Sequence, residues 1–143
     1  MSAVAIRNGL VTILVASGKW AASQISTCDF GIAVLSSCAI VLQPNSVAVV
    51  PMEFGTPARG KRVVHEILGV LMIKDFGNAT ALLSQLWTGV DDLYSAINAD
   101  DTLAGTACIA RLTRITRPEN AFITDGAGSD WAYLRFLVQA EIF

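Results

Sequence analysis

The most constraining feature of this sequence is a regular apolar stripe between residues 79 and 97. Its members recur at intervals of three and four residues, which predicts an amphipathic α-helix. They are Ala79, Leu82, Leu83, Leu86, Trp87, Val90, Leu93 and Ile97. Asn78 precedes the stripe as a natural N-cap, and Asp91 and Asp92 face away from it.

Three further segments have the pattern of long β-strands. Residues 63–74 are mainly apolar on both faces, which predicts a central strand covered on both sides. A second strand runs from Thr106 to about Arg117 and ends at Pro118, because proline cannot continue a central ladder. The last strand, Trp131–Ile142, alternates regularly. Its core-facing residues are Ala132, Leu134, Phe136, Val138, Ala140 and Ile142.

The opposite face of this last strand carries Trp131, Tyr133, Arg135, Leu137, Gln139 and Glu141. We interpret it as a surface, open to solvent or to a partner. We therefore expect Phe136→Ala to be costly and Tyr133→Ala to leave the isolated fold nearly intact.

The first half of the chain is less regular. Residues 3–17 have a helical rhythm that Gly18 would end, and they are apolar nearly all round, so we expect burial on several sides. Residues 19–37 are interpreted as a loop with short pieces of structure. Cys38–Leu42 and Val47–Val50 are predicted as two short strands, which the turn at 43–46 could join in a hairpin.

The connections follow from composition. Residues 54–62 form a predicted exposed basic loop, 98–102 a turn, and 125–129 a Gly-rich loop before the last strand. Together these elements predict an α+β fold: a mostly antiparallel sheet with two main helices packed on one side. At 143 residues, we expect residues 1–143 to form a single domain.

Composition points to a subunit that hides apolar surface against partners. The chain is 53% hydrophobic and only 15% charged, against typical values of about 45–50% and about 25%. Residues 1–74 carry six basic and three acidic side chains, whereas residues 75–143 carry four and nine. Opposite-signed halves could serve head-to-tail packing of identical copies. No run is long enough to predict a membrane span or a signal peptide.

The sequence predicts no catalytic residues, no metal site and no cofactor. His65 is the single histidine, and we expect a strand histidine with a local hydrogen bond. The three cysteines, Cys28, Cys38 and Cys108, lack the spacing of metal ligands. We interpret each as a small, buried, apolar side chain. We also expect the protein to fold in a reducing, intracellular compartment.

The acidic pairs Asp91-Asp92 and Asp100-Asp101 are interpreted as a solvated helix face and a turn. Arg59, Lys61 and Arg62 form the one basic cluster. We interpret it as a solvated loop, with contact to an acidic partner, or non-specific contact with passing DNA, as the alternative.

From about residue 38 to the end, the order and spacing of the motifs resemble a known family. The segments that carry the resemblance are "MEFGTPARGKR", "VVHEILGVLMIKDF", "ALLSQLWTGVDDLYSAIN", "DDTLAGTACIARLTRI" and the closing "WAYLRFLVQAEIF". Together they are similar to the tail terminator (tail completion) proteins of long-tailed bacteriophages.

That resemblance implies a non-enzymatic virion subunit, made in the host cytoplasm and located at the head-proximal end of the tail. It implies a homohexameric ring that caps the tail tube, stops its polymerisation and joins the head-side neck or connector proteins. The candidate assembly contacts are Arg59, Lys61, Arg62, Trp131, Tyr133 and Arg135. The alternatives are another head–tail connector subunit, or a small-molecule enzyme or binding domain, which would need a concave pocket with convergent polar groups.

Overall fold

A computed structural model of the chain describes residues 2–27, 40–51, 61–74, 79–117, 122–124 and 130–142. Two α-helices and a mixed sheet of six strands make up the described part, in the order α1, β1, β2, β3, α2, β4, β5, β6. The predicted N-cap Asn78, the loop at 54–60 and the Gly-rich loop at 125–129 lie outside the described residues.

Helix α1 spans Ala3–Ala16 and confirms the predicted N-terminal helix. The Ser2 hydroxyl caps it by accepting a hydrogen bond from the Ala5 N–H, with 3.1 Å between the two atoms. It ends before Gly18, which has a φ of +77°. Its buried side is formed by Ile6, Leu10, Ile13 and Leu14, whereas Val4 is 49% exposed.

After α1 the chain makes a short 3-10 turn and the two-residue strand β1, Ile25–Ser26. Strand β1 runs parallel to β2 and pairs with Ile40 and Val41 alone. This is the single parallel pairing among the described strands.

Strand β2 spans Ile40–Pro51 without interruption, so the predicted hairpin of two short strands is wrong. The whole segment pairs antiparallel with β3, and Asn45 is an extra residue between the pairs Pro44–Ile67 and Ser46–Glu66. The Asn45 amide donates to Glu66 Oε1 over 2.9 Å. The turn-like composition therefore marks a β-bulge, a position at which proline is tolerated within a strand.

The centre of the sheet consists of β3, Lys61–Lys74, and β6, Asp130–Ile142. They pair antiparallel over twelve residues, from Val63–Ile142 to Lys74–Trp131. The central position predicted for residues 63–74 is confirmed. Lys61 and Arg62 belong to this strand, so assigning them to a loop is wrong.

Helix α2 spans Ala79–Ala99 and includes Asn98 and Ala99, which were predicted in a turn. Strand β4, Ile109–Thr116, begins three residues later than predicted and pairs with the C-terminal part of β6. Strand β5, Phe122–Thr124, pairs with the N-terminal part of β6.

Both helices pack on one face of this mostly antiparallel sheet, which confirms the α+β prediction. Within the core, Phe136 is 1% exposed and lies opposite Gly69 on the neighbouring strand. A β-carbon at Gly69 would collide with the Phe136 ring, so the missing side chain makes room for the aromatic one. The inward residues of β6 are the predicted ones, from Ala132 to Ala140.

Candidate assembly surfaces

The predicted basic cluster is only partly described. Arg59 and the side chain of Lys61 lie outside the described residues. Arg62 lies in β3, with its Nη1 3.7 Å from Glu141 Oε1 on β6. Their side chains are 39% and 18% exposed, so the pair is partly solvated and contributes about 0–1 kcal/mol at most. Arg62 is thus engaged within its own sheet.

The second predicted set, on the outer face of β6, divides into two environments. Trp131 is 5% exposed and Tyr133 is 7% exposed, in a small cluster with Val41, Val70 and Met72. The prediction of an open surface is therefore wrong at Trp131 and Tyr133. It is right at Arg135, which is exposed.

Around Arg135 the outer face of the sheet presents an apolar floor with basic side chains, which we call the arginine face. It comprises Leu68, Arg111, Arg114, Arg135 and Leu137. Leu68 and Leu137 are paired across β3 and β6, and Arg114 pairs with Leu137 across β6 and β4. The Arg135 guanidinium carbon lies 5.9 Å from the centre of the Tyr133 ring. Among the described residues, no carboxylate lies within 4 Å of these three guanidinium groups.

Two shallow hollows open on the arginine face, and Arg135 and Leu68 contribute to both. One, of about 150 Å³, lies towards β4 and is also lined by Arg114, Thr116 and Leu137. The other, of about 260 Å³, lies towards β2 and is also lined by Val41, Gln43 and Val70. Arg135 therefore stands between two partly apolar depressions.

Helix α2 exposes an aromatic flank that the sequence pattern had assigned differently. Trp87 was predicted on the buried stripe but is 48% exposed, and Tyr94 is 57% exposed. Asp91 lies between them along the helix and is also exposed. We call Trp87, Asp91 and Tyr94 the aromatic flank. The i, i+4 and i+7 spacing of these residues is visible in the sequence. Trp87 was nevertheless assigned to the buried apolar stripe, because it also fits the spacing of that stripe.

Strand β2 carries exposed apolar side chains at one edge of the described sheet. Strand β1 pairs only with Ile40 and Val41, and no other described strand pairs with this edge from Pro44 to Pro51. Val47 is 53% exposed and Val49 is 60% exposed. An open, apolar strand edge is a site at which another chain can add a strand.

His65 is more deeply buried than a surface strand histidine and is 4% exposed. Neither ring nitrogen has a hydrogen-bond partner among the described residues, so the expected local hydrogen bond is wrong. Burial disfavours the charged imidazolium and, together with the positive N-terminus, lowers the pKa of His65 below its ordinary value of 6.5. The side chain is therefore a neutral, buried ring at pH 7.

Cys108 is exposed and free, so its interpretation as a buried hydrophobe is wrong. Cys28 and Cys38 lie outside the described residues.

The acidic pair at 100–101 lies in a turn, as predicted. The Asp100 carboxylate accepts from the Thr102 hydroxyl at 2.6 Å and from the backbone N–H groups of Thr102 and Ala104. The Thr102 hydroxyl bond is the largest cause that holds the pKa of Asp100 below its usual value.

A third hollow, of about 250 Å³, lies between α2, β3 and the segment after α1. Its polar groups come from Lys19, Ser84, Gln85, Thr88 and Asp92. Lys19, Ser84, Gln85 and Thr88 are exposed, and the hollow is open to solvent. It is smaller than the pockets of about 300–1,000 Å³ that typically enclose small-molecule ligands.

Among the described residues, no group of three or more His, Cys, Asp or Glu side chains is arranged to hold a metal ion. No described helix is both long enough and apolar enough to cross a bilayer.

Neither a scan against protein-family models nor a search of curated proteins finds a match to this chain.

Proposed function

We propose that this chain is a tail terminator subunit of a long-tailed bacteriophage. In this role, identical copies form a ring on the head-proximal end of the tail tube. The ring stops tube polymerisation and offers its far side to the neck proteins. The support is the order of motifs from residue 38 onward, together with an α+β architecture of the kind that the resemblance implies.

The observation that carries the proposal is where the large exposed hydrophobic side chains lie. Among the described residues they occur at three separate places: Val4 at the start of α1, Val47 and Val49 on β2, and Trp87 and Tyr94 on α2. A ring subunit needs one surface for each of its two neighbours and another for the tube. Exposed apolar groups on several sides are suited to such a subunit, because assembly would remove them from water.

The direct test is a tube-length assay. A phage tail tube protein would be polymerised alone and with purified subunit added. We expect the subunit to bind tube ends as a ring and to halt elongation, as seen by negative-stain electron microscopy. Tubes that grow to the same length with and without the subunit would contradict the proposal.

Another head–tail connector remains the alternative within the same class of structural proteins. Such a subunit would bind the portal or an adaptor and leave tube growth unchanged. A pull-down with tube protein in one arm and portal or adaptor protein in the other therefore distinguishes the two roles.

A further inference from the structure

Two surfaces of this subunit have matching patterns. The aromatic flank presents, in order along the helix, an aromatic ring, a carboxylate and a second aromatic ring. The arginine face presents, in order across the strands, a hollow, a guanidinium group and a second hollow. We propose that the aromatic flank of one copy docks on the arginine face of the next. This contact rests on the proposed ring-forming function and names the surfaces that would build the ring.

The spacing of the two patterns agrees. Trp87 and Tyr94 are seven residues apart, so they are separated by about 10.5 Å along the helix axis. One hollow is lined from β2, β3 and β6, and the other from β3, β6 and β4, and the two share Leu68 and Arg135. Together they form a depression across four adjacent strands, which span three strand spacings, or about 14–15 Å. A helix crossing the strands at a steep angle would therefore bring both rings over this depression together.

The sizes also agree. An apolar cavity of about 150 Å³ is large enough to hold a benzene ring. The smaller hollow, of about 150 Å³, takes the Tyr94 ring, and the larger, of about 260 Å³, takes the Trp87 indole. Both aromatic side chains are about half exposed in the isolated subunit, so docking would bury them against Leu68, Leu137 and Val70.

The charges are complementary. With Trp87 and Tyr94 seated, Asp91 faces Arg135 in the middle of the contact, and Arg114 flanks it. Within the described residues Arg135 has no carboxylate partner of its own, so it can accept one from a neighbouring copy. A guanidinium–carboxylate pair surrounded by aromatic rings is typical of the centre of a protein–protein interface.

The contact joins two different surfaces, one on the helix layer and one on the side of the sheet away from the helices. It is therefore heterologous, the type of contact that generates closed rings or open stacks. Each copy would use its helix towards one neighbour and its sheet towards the other.

A charge-swap experiment tests the pairing. The variants Asp91→Arg and Arg135→Glu would be made singly and together, and self-association measured by sedimentation velocity over a concentration series. We expect each single variant to weaken association about tenfold or more, because reversal places like charges in the contact. The double variant, and an equimolar mixture of the two singles, should regain association. Trp87→Ala and Tyr94→Ala should also weaken it about tenfold or more.

The matched controls reverse charges outside both surfaces. Asp101→Arg lies in the turn after α2 and Arg117→Glu follows β4, and both residues are exposed. We expect both controls to associate as the wild type does, and every variant to unfold at the wild-type denaturant concentration. The folding check ensures that a loss of association reports the interface.

Two results would overturn the inference. In one, the wild-type protein associates and the charge reversals, singly or mixed, leave association unchanged; the ring would then be built through other surfaces. In the other, the wild-type protein is monomeric across the whole series, which excludes this self-docking. Failure of the proposed function is distinguished by the tube-length assay, which does not depend on which surfaces join the copies.

Discussion

Residue position on β6 decides whether a side chain supports the fold or faces outward. Phe136 is 1% exposed between the sheet and the helices, whereas its neighbour Arg135 is exposed on the opposite face. Removing a buried phenylalanine side chain leaves a cavity and typically costs about 3–5 kcal/mol. An exposed side chain away from such packing usually changes stability by less than about 0.5 kcal/mol.

We therefore expect Phe136→Ala to be strongly destabilised and Arg135→Ala to be nearly as stable as the wild type in urea unfolding. Tyr133→Ala should also be destabilised, because Tyr133 is buried in the second cluster. This replaces the expectation drawn from alternation alone. A Phe136→Ala variant with the wild-type midpoint would show that the register of β6 is misassigned.

His65 makes stability depend on pH. Its pKa in the folded state lies below 6.5, mainly because of burial, whereas the unfolded chain has the ordinary value. Below pH 6.5 the unfolded state binds a proton that the folded state resists, so stability falls as the pH decreases towards the folded pKa. Above pH 6.5 both states are neutral and the effect vanishes.

We expect the wild-type protein to lose stability more steeply than His65→Leu as the pH falls below 6.5, by at most about 1.4 kcal/mol per pH unit. Urea unfolding of both proteins at a series of pH values measures the difference. Since His65 is the single histidine, the comparison isolates one group. Parallel pH curves for the two proteins would mean that the ring has the same pKa in the folded and unfolded states, as a solvated ring would.

At the scale of elements, the turn between α2 and β4 is stabilised by hydrogen bonds to the Asp100 carboxylate but includes residues with unfavourable backbone angles. Leu103 and Ala104 have φ values of 49° and 58°, followed by Gly105 at 81°. Non-glycine residues in this left-handed region cost about 1–2 kcal/mol each. The conformation puts Leu103 into the core at 0% exposure, and the Asp100 carboxylate holds the turn through the Ala104 N–H.

Ala104→Gly should consequently stabilise the protein by up to about 1 kcal/mol, because the exposed methyl group contributes no packing and the N–H is retained. Gly105→Ala is the matched opposite change and should destabilise it. Thermal unfolding of the two variants beside the wild type measures both effects. If Ala104→Gly lowers the melting temperature, the turn does not hold the left-handed conformation.

The elements differ in how far they could be predicted from the sequence. Helix α2 and strands β3 and β6 follow from a long apolar period, since one face of each is buried along most of its length. Strand β2 was divided wrongly because Gln43-Pro44-Asn45-Ser46 has the local composition of a turn. Local composition does not reveal that β3 pairs with this whole segment, with Asn45 as a bulge in β2.

The candidate surfaces were harder to predict than the elements. Alternation placed Arg135 on the outer face, but it could not show that the same face is covered at Trp131 and Tyr133 and open at Leu68 and Leu137. Trp87 was assigned to the core because an aromatic residue beside an apolar stripe is usually buried. Its exposure depends on where the helix meets the sheet, and helical period alone does not fix that boundary.

At the scale of the whole molecule, the core lies between the helices and the sheet, and the candidate assembly surfaces lie outside it. The helices and the inward sheet residues form one continuous core, which includes residues from α1, α2 and four strands. The sheet's other face has its own small buried cluster at one end and the arginine face beside it. A subunit with one strong core can therefore present an outer sheet face, an open strand edge and a helix flank to neighbours without weakening its own fold.

Two of the three tryptophans lie in buried clusters and the third lies on a candidate assembly surface, so their intrinsic fluorescence can report on both regions. Trp20 and Trp131 are 8% and 5% exposed, whereas Trp87 is 48% exposed. Fluorescence from the first two should report unfolding, while acrylamide should quench the third selectively in the isolated subunit. Docking of the aromatic flank should shift the Trp87 emission to shorter wavelength and protect it from quencher. In Trp87→Phe both changes should be absent, and the emission that remains should follow unfolding alone.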